Sequence, residues 1–215
     1  MNATLYNLSN EFIAPGIERI RCENFHTTQD AVNYLYHILK TGDEWIINLD
    51  EDAFIVDWNA ITDIIKFMSE NQYLYAGMPD GGVCWHRKNS WIVCNPFFNI
   101  FNAKAIKPIL PDLEIIRHSA YSSHMDQYKP GFVKGNYQNG NIEPFNSMFY
   151  WLMRHSKGLY LNGKDHTDKL STILIWKEKS FIYHSWYGRE FESDPVERSR
   201  IIRLYNEAKQ HIERT

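Results

Sequence analysis

Three acidic residues, Asp50, Glu51 and Asp52, directly follow a mostly apolar stretch, Glu44–Leu49, that has the length of a strand. In an open α/β sheet, ligands bind beyond the carboxyl ends of the strands, which is where these carboxylates would stand. Two carboxylates separated by one residue can share a hard cation, with water filling the remaining positions. Such a cation could bridge the phosphates of a nucleotide and neutralise a departing diphosphate. The alternative is that the acidic run is only the polar end of a strand.

A strand, a helix and a second strand are predicted to position this acidic run. Ile17–Cys22 alternates apolar and charged residues, as a short strand does. Thr27 or Thr28 would then cap a helix that stops at Gly42. Its apolar residues recur at helical spacing and are Val32, Leu35 and Leu39. Since Glu44–Leu49 follows, the unit predicts parallel strands joined by a right-handed crossover.

The rest of the chain continues to mix helices and strands, which predicts one α/β domain over residues 1–215. Helices are predicted after Asp57, from Ala103, at Glu143-Pro144 up to Gly158, and after Asp194. Strands are predicted at Tyr73–Met78, Trp91–Cys94, Ser171–Lys177 and Ser180–His184, the last two as a hairpin around a charged turn. The last helix is predicted to bury Ile201, Leu204, Tyr205, Ala208 and Ile212. The run from Arg117 to Asn141 has no period and is predicted to be a long irregular loop.

The composition excludes several classes of protein. The chain has 215 residues, of which 44% are hydrophobic and 15% aromatic, so disorder and low complexity are excluded. Its net charge of -3 and the lack of a Lys/Arg block argue against a nucleic-acid partner. The three cysteines, Cys22, Cys84 and Cys94, have no metal-binding spacing and are expected to be free thiols. With no signal-peptide pattern and no membrane-spanning run, a cytoplasmic location is expected, and peripheral membrane contact stays open.

The run from Arg19 to Asp52, RIRCENFHTTQDAVNYLYHILKTGDEWIINLDED, resembles the central part of GT-A-fold glycosyltransferases. In that family a strand precedes a helix carrying Ala-x-Asn, here Ala31-Val32-Asn33, and the next strand ends in a DxD motif. The resemblance implies a Rossmann-type mixed sheet flanked by helices. It also implies that the protein transfers a sugar from a nucleotide-sugar, with a UDP-sugar as the expected donor and Mn²⁺ or Mg²⁺ as the cofactor. It implies that Asp52 binds the metal directly, while Asp50 contacts the donor ribose or the metal through water. Asn33 is expected to contact the donor.

Two later features fit the same resemblance. Glu143 matches an acidic residue that serves many family members as general base towards the acceptor, a saccharide or another hydroxyl compound; the alternative is an ordinary helix cap. His184 ends a predicted strand and matches a third metal ligand. Arg189 is predicted to meet a phosphate. Trp186 and Tyr187 are predicted to contact the sugar.

The family ordinarily opens with a strand, a nucleotide-base-binding loop, a helix and a second strand. Met1–Gly16 has room for at most one strand, Thr4–Asn7, so an abbreviated nucleotide-binding part is expected. One alternative is therefore a truncated, inactive relative that binds a carbohydrate or a partner protein through aromatic loops. A phosphohydrolase with Asp50 as nucleophile is less favoured, because Ala53-Phe54 follows Asp52 where such enzymes carry a threonine in DxDxT.

Overall fold

The computed structural model describes the backbone of residues 4–7 and 18–21 and, in full, residues 31–41 and 44–214. The strands are β1 (Thr4–Asn7), β2 (Glu18–Arg21), β3 (Ile46–Leu49), β4 (Ala53–Ile55), β5 (Tyr75–Pro79), β6 (Cys94–Phe101), β7 (Gly158–Tyr160), β8 (Asn162–Asp165), β9 (Thr172–Trp176) and β10 (Lys179–His184). The helices are α1 (Ala31–Leu39), α2 (Trp58–Glu70), α3 (Ala103–Ile106), α4 (Leu113–Arg117), α5 (Asn146–His155) and α6 (Pro195–Arg214). Short 3₁₀ segments cover Lys107–Ile109, Ser123–Tyr128 and Gly188–Glu190.

Two four-stranded sheets carry the fold, in the orders β3-β6-β5-β7 and β4-β10-β9-β8. All their pairings are antiparallel except that of β5 with β7. With helices interspersed, the chain is a mixed α/β protein, as the sequence predicts. Both β3 and β5 run antiparallel to β6, so they share one direction and end at the same edge of the sheet.

The predicted parallel pairing within the first strand–helix–strand unit is wrong in the described strands. There β2 pairs with β1 in a separate parallel ribbon, and β3 pairs antiparallel with β6. The reason is that β6 is a long strand, almost wholly buried, that offers pairing partners on both sides. Local periodicity identifies the two strands of the unit but not this distant partner.

The strand predicted at Trp91–Cys94 starts only at its last residue, and β6 then runs on through Pro96. Proline is unfavourable inside a strand, because it lacks the amide donor that a strand ladder needs. The register between β5 and β6 shifts between Gly77 and Pro79, so that Pro96 lies in an irregular stretch of the pairing. A missing amide donor is tolerated at such a bulge.

Buried apolar residues form three groups. The first joins α1, α5 and the sheet of β3 and includes Met125 and Val133 of the irregular loop, which thus packs against the core. The second is shared by α2 and both four-stranded sheets. The third lies under α6 and includes Leu204 and Ala208. The predicted core positions Tyr205 and Ile212 are wrong, being 51% and 53% exposed, because α6 covers the sheet with one narrow face.

Several local expectations are confirmed. The buried residues predicted for α1 are buried, β9 and β10 form the predicted antiparallel hairpin, and α3 begins at Ala103. Cys84 and Cys94 are buried free thiols. Gly158 does not end a helix as predicted: α5 ends at His155, and Gly158 starts β7, where a Cβ would come within 2.3 Å of the Tyr75 ring.

Some of the predictions concern residues that the structure does not describe. The predicted caps Thr27 and Thr28, the stop at Gly42, and Cys22 lie outside the described residues. Within the described part of the chain, no helix combines the length and the apolar character needed to cross a membrane.

Both predicted aspartate caps are present. Asp57 accepts hydrogen bonds from the amides of Asn59 (2.9 Å) and Ala60 (3.2 Å) at the start of α2. Asp194 accepts one from the amide of Val196 (2.8 Å) at the start of α6. An aspartate side chain in this role satisfies amides that have no partner within the helix.

We predict that Asp57→Ala lowers the free energy of unfolding by about 1 kcal/mol, since two amides of α2 lose their acceptor. Urea unfolding followed by circular dichroism measures the change. Asp112→Ala is the matched control, because Asp112 precedes α4 without a side-chain capping bond. Equal losses in the two variants would contradict a specific cap at Asp57.

Candidate metal centre and the adjoining cleft

The antiparallel pairing of β4 with β10 brings the predicted metal ligands together. Ala53 is paired with His184, so Asp52 stands beside the last residue of β10. Asp50, Asp52 and His184 each offer a ligand atom, and these atoms all lie within 4.8 Å of one another. Residues 132 positions apart in the chain thus form one cluster that could hold a metal ion, and we name this candidate site the metal centre.

Asp52 is the most firmly held member of the metal centre. One carboxylate oxygen accepts from His184 Nε2 at 3.1 Å, and the other accepts from Ser185 Oγ at 3.1 Å and the Gly188 amide at 3.0 Å. Burial by itself would raise the pKa of Asp52, but these bonds and the charge of His184 bring that pKa below its ordinary value. Asp52 is therefore a preorganised carboxylate.

Asp50 lies at the rim of the metal centre and keeps contact with solvent. The protein atoms around it desolvate its carboxylate and raise its pKa to about 6; His184 acts against this rise, and Asp52 and Glu51 add to it. A carboxylate so placed gains from a nearby positive charge, which a bound cation would supply.

The His184 ring is fixed by stacking. It lies parallel to Phe97 with the ring centroids 4.1 Å apart, and the Trp186 ring leans on it at 4.3 Å. His184 is only 2% exposed, and its buried Nδ1 has no hydrogen-bond partner among the residues that the structure describes. The ring therefore has little freedom to leave the neighbourhood of Asp52.

The distances and donor types fit a divalent cation. Two ligands about 2.1 Å from an octahedral ion lie about 3.0 Å apart when they are adjacent. His184 Nε2 and Asp52 Oδ1 are 3.1 Å apart, so once Nε2 has lost its proton the two atoms would match one edge of such a site. Two carboxylates and one imidazole suit Mn²⁺ better than Mg²⁺, which prefers oxygen alone.

The loop after β10, residues 185–188, supplies the donors to Asp52. Trp186 and Tyr187 both have left-handed backbone conformations, with φ of 61° and 58°. At Gly188 a Cβ would lie 2.9 Å from Cβ and Cγ of Asp52, so no side chain fits there. The close approach of this loop to Asp52 thus depends on glycine.

The other predicted site residues lie in different surroundings. Trp186 is packed inward: its Nε1 donates to Thr172 Oγ1 at 2.8 Å, and its ring touches several neighbours. Tyr187 is 45% exposed. The Arg189 side chain is 77% exposed and lies 3.7 Å from the Glu190 carboxylate. On α1, Asn33 accepts from Arg117 of α4 at 2.6 Å, a contact that joins two helices rather than reaching the metal centre.

A buried ion pair beside the metal centre was not found by the sequence reasoning. Asp80 follows β5 and is fully buried, and Arg87 binds it with two parallel bonds of 2.7 Å. Asn89 (2.8 Å) and Asn95 (2.6 Å) complete its shell. The available signal was the one used for Asp50: an acid directly after a buried strand. Both acids follow strands that end at the same edge of one sheet.

Glu143 faces a polar cleft next to this ion pair. It stands ahead of α5 rather than inside it, and Arg87 Nη2 lies 3.4 Å from its Oε1. A cavity of about 230 Å³ is lined by Arg87, Lys88, Asn89, Gln138, Ile142 and Glu143. The Arg87 guanidinium also lies 5.2 Å from the Trp186 ring, which in turn leans on His184. Contacts therefore run without a break from Glu143 to the metal centre.

We predict that Gly188→Ala weakens the binding of Mn²⁺ at least tenfold, because the new methyl group would displace Asp52. The expected loss of stability is about 1–3 kcal/mol, as for other overpacked sites. Electron paramagnetic resonance of free Mn²⁺ measures the affinity. Gly131→Ala is the control, since a Cβ there meets nothing within 4 Å. Unchanged affinity in Gly188→Ala would show that this contact does not shape the centre.

Comparison of the chain with protein-family models, with curated proteins and with solved structures finds no match in any of the three. The function of this chain must therefore be inferred from its own residues, above all from the metal centre and the cleft at Glu143.

Proposed function

We propose that the chain is a metal-dependent glycosyltransferase of the GT-A type, which moves a sugar from a nucleotide-diphosphate sugar to a hydroxyl acceptor. The observation that carries the proposal is the convergence of Asp50 and Asp52 of the DxD motif with His184, which lies far along the chain. The sequence resemblance names these same three residues. A UDP-sugar is the first donor to test, and a saccharide the first acceptor.

The cation would be held by Asp50, Asp52 and His184, and Mn²⁺ suits this set of donors. When bound, it would offset the negative charge that develops on the departing diphosphate. The chain itself prepares the ligands for this role. The ring stacking of Phe97 on His184 and the hydrogen bonds to Asp52 fix two of the three before any ion arrives.

Glu143 is the proposed general base. Its carboxylate is 34% exposed, opens on the 230 Å³ cavity and has one long contact, to Arg87, so it can accept a proton from an acceptor hydroxyl. Asp80 is excluded from this role, because four short bonds from Arg87, Asn89 and Asn95 occupy its oxygens.

Exposed aromatic rings beside the metal centre would contact the sugars. Tyr187 is 45% exposed, and Trp85 is 62% exposed although its Nε1 is fixed to the Lys169 carbonyl at 2.6 Å. The Trp85 ring contacts the His86 ring, which in turn contacts the Trp186 ring. Trp186 itself is placed as packing between Arg87 and His184 rather than as an open platform.

The fixed and exposed ring of Trp85 also favours the second candidate, an inactive relative that binds a carbohydrate. Such a protein would bind saccharides without a nucleotide or a cation. The two candidates therefore differ in whether nucleotide binding depends on metal.

We predict that UDP stabilises the protein only when Mn²⁺ is present. GDP and CMP are tested in the same way, as alternative nucleotides. A ligand at about 100 times its dissociation constant adds roughly 2.7 kcal/mol of stability. Differential scanning fluorimetry measures the shift, which is expected to vanish in Asp52→Asn and in His184→Gln. Asp112→Asn, on the exposed surface, is the control and is expected to keep it. If no nucleotide gives a metal-dependent shift, the enzyme proposal is wrong.

We predict that Glu143→Gln lowers turnover by about 10²–10⁴-fold, the usual contribution of a general base, and leaves nucleotide binding intact. The measurement is UDP release from UDP-glucose, UDP-galactose and UDP-N-acetylglucosamine with a panel of disaccharide acceptors. Glu190→Gln is the control, since the Glu190 carboxylate contacts Arg189 (3.7 Å) and Ser193 Oγ (3.0 Å) rather than Arg87. Unchanged turnover in Glu143→Gln would remove Glu143 from catalysis without touching the metal centre.

A further inference from the structure

We propose that Arg200 of α6 is a positioning residue for the metal centre, acting through the 185–188 loop. The inference rests on the proposed function, since it assigns Arg200 a part in holding the metal-binding form of Asp52. Arg200 is 7% exposed and touches none of the three proposed metal ligands directly in its hydrogen bonds.

Every donor of the Arg200 guanidinium is used. A guanidinium has five N–H groups in a fixed fork. Nη1 donates to the Ser185 carbonyl (2.6 Å) and to Ser171 Oγ (2.8 Å). Nη2 donates to the Trp186 carbonyl (2.9 Å) and to Glu197 (2.6 Å), and Nε donates to Glu197 (2.9 Å). Two of the five bonds thus hold successive carbonyls of the 185–188 loop.

The other side of the same loop faces Asp52. The Ser185 amide donates to the Asp52 carbonyl at 3.0 Å, while Ser185 Oγ and the Gly188 amide donate to its carboxylate. One face of this short segment presents carbonyls to Arg200 of α6, and the other face presents hydrogen-bond donors to Asp52. Turning either peptide away from Arg200 would therefore redirect the donors that fix Asp52.

The backbone of this loop needs such support. Trp186 and Tyr187 both occupy the left-handed region, which bulky residues adopt only when their surroundings force it. Arg200 fixes this loop to α6, because its planar guanidinium donates to the Ser185 and Trp186 carbonyls at the same time. A lysine, with three donors around a single nitrogen, cannot reproduce that span.

The charge of Arg200 is balanced locally. Glu197 binds it at 2.6 Å, and an oxygen of Asp168 lies 3.7 Å from Nη1. Since these carboxylates offset the buried cation, Arg200 acts on the metal centre by geometry rather than by repelling a second cation.

Arg200→Lys tests the proposal. We expect Mn²⁺ binding, measured by electron paramagnetic resonance, to weaken about tenfold, as for other outer partners of metal ligands. In the metal-free protein, the near-ultraviolet circular dichroism of Trp186 is expected to change. Arg198→Lys is the matched control on the same helix, because Arg198 binds the Phe191 and Glu192 carbonyls instead, and it is expected to leave both signals unchanged.

Wild-type affinity and an unchanged dichroism in Arg200→Lys would overturn the proposal, as would equal effects in Arg198→Lys. If Arg200→Lys does not fold, Glu197→Gln takes its place, because it loosens the guanidinium while keeping an oxygen acceptor; an unaltered Mn²⁺ affinity there counts against the proposal. If the wild-type protein binds no Mn²⁺, the proposed function fails by itself, and the metal-free dichroism alone decides whether Arg200 holds the loop.

Discussion

The hydrogen bond between Asp52 and His184 joins the start of β4 to the end of β10, and it is possible only because those strands pair antiparallel. Burial of both side chains would be costly without a partner for each, so the pair needs the donors of the 185–188 loop as well. That loop in turn needs α6 behind it. The position of the C-terminal helix is therefore tied to the state of one carboxylate.

A second charge pair, buried Asp80 with partly exposed Arg87, lies beside the cleft at Glu143. Its geometry is bidentate, and the remaining Asp80 contacts come from two asparagines, so the buried Asp80 carboxylate is satisfied. Trp186 lies between this pair and His184, touching both the Arg87 guanidinium and the His184 ring. An aromatic ring thus connects the charge pair to the metal centre.

Local patterns predicted what local forces decide. The core face of α1, the cap at Asp57 and the β9–β10 hairpin follow from periodicity and capping, whereas only the resemblance pointed to the proximity of Asp50, Asp52 and His184. The wrong predictions concern features that depend on parts of the chain far away in sequence. The β2–β3 pairing and the start of β6 depend on which strand lies alongside. The exposure of Tyr205 depends on how much of α6 the sheet covers, which no helical period records.

The two acids that follow β3 and β5 show that the role of a charged residue depends on its contacts in the folded structure. In the sequence, Asp50 and Asp80 have the same setting, an acid directly after a buried strand, and both leave the sheet at one edge. In the structure Asp80 has four donors and no capacity for a ligand, whereas desolvation raises the pKa of Asp50, beside another carboxylate, to about 6. Arg87, which makes the difference, is brought back towards Asp80 by the antiparallel bridge between Gly81 and Lys88. The same edge therefore carries one acid whose oxygens are occupied by protein donors and one whose carboxylate stays available to a cation.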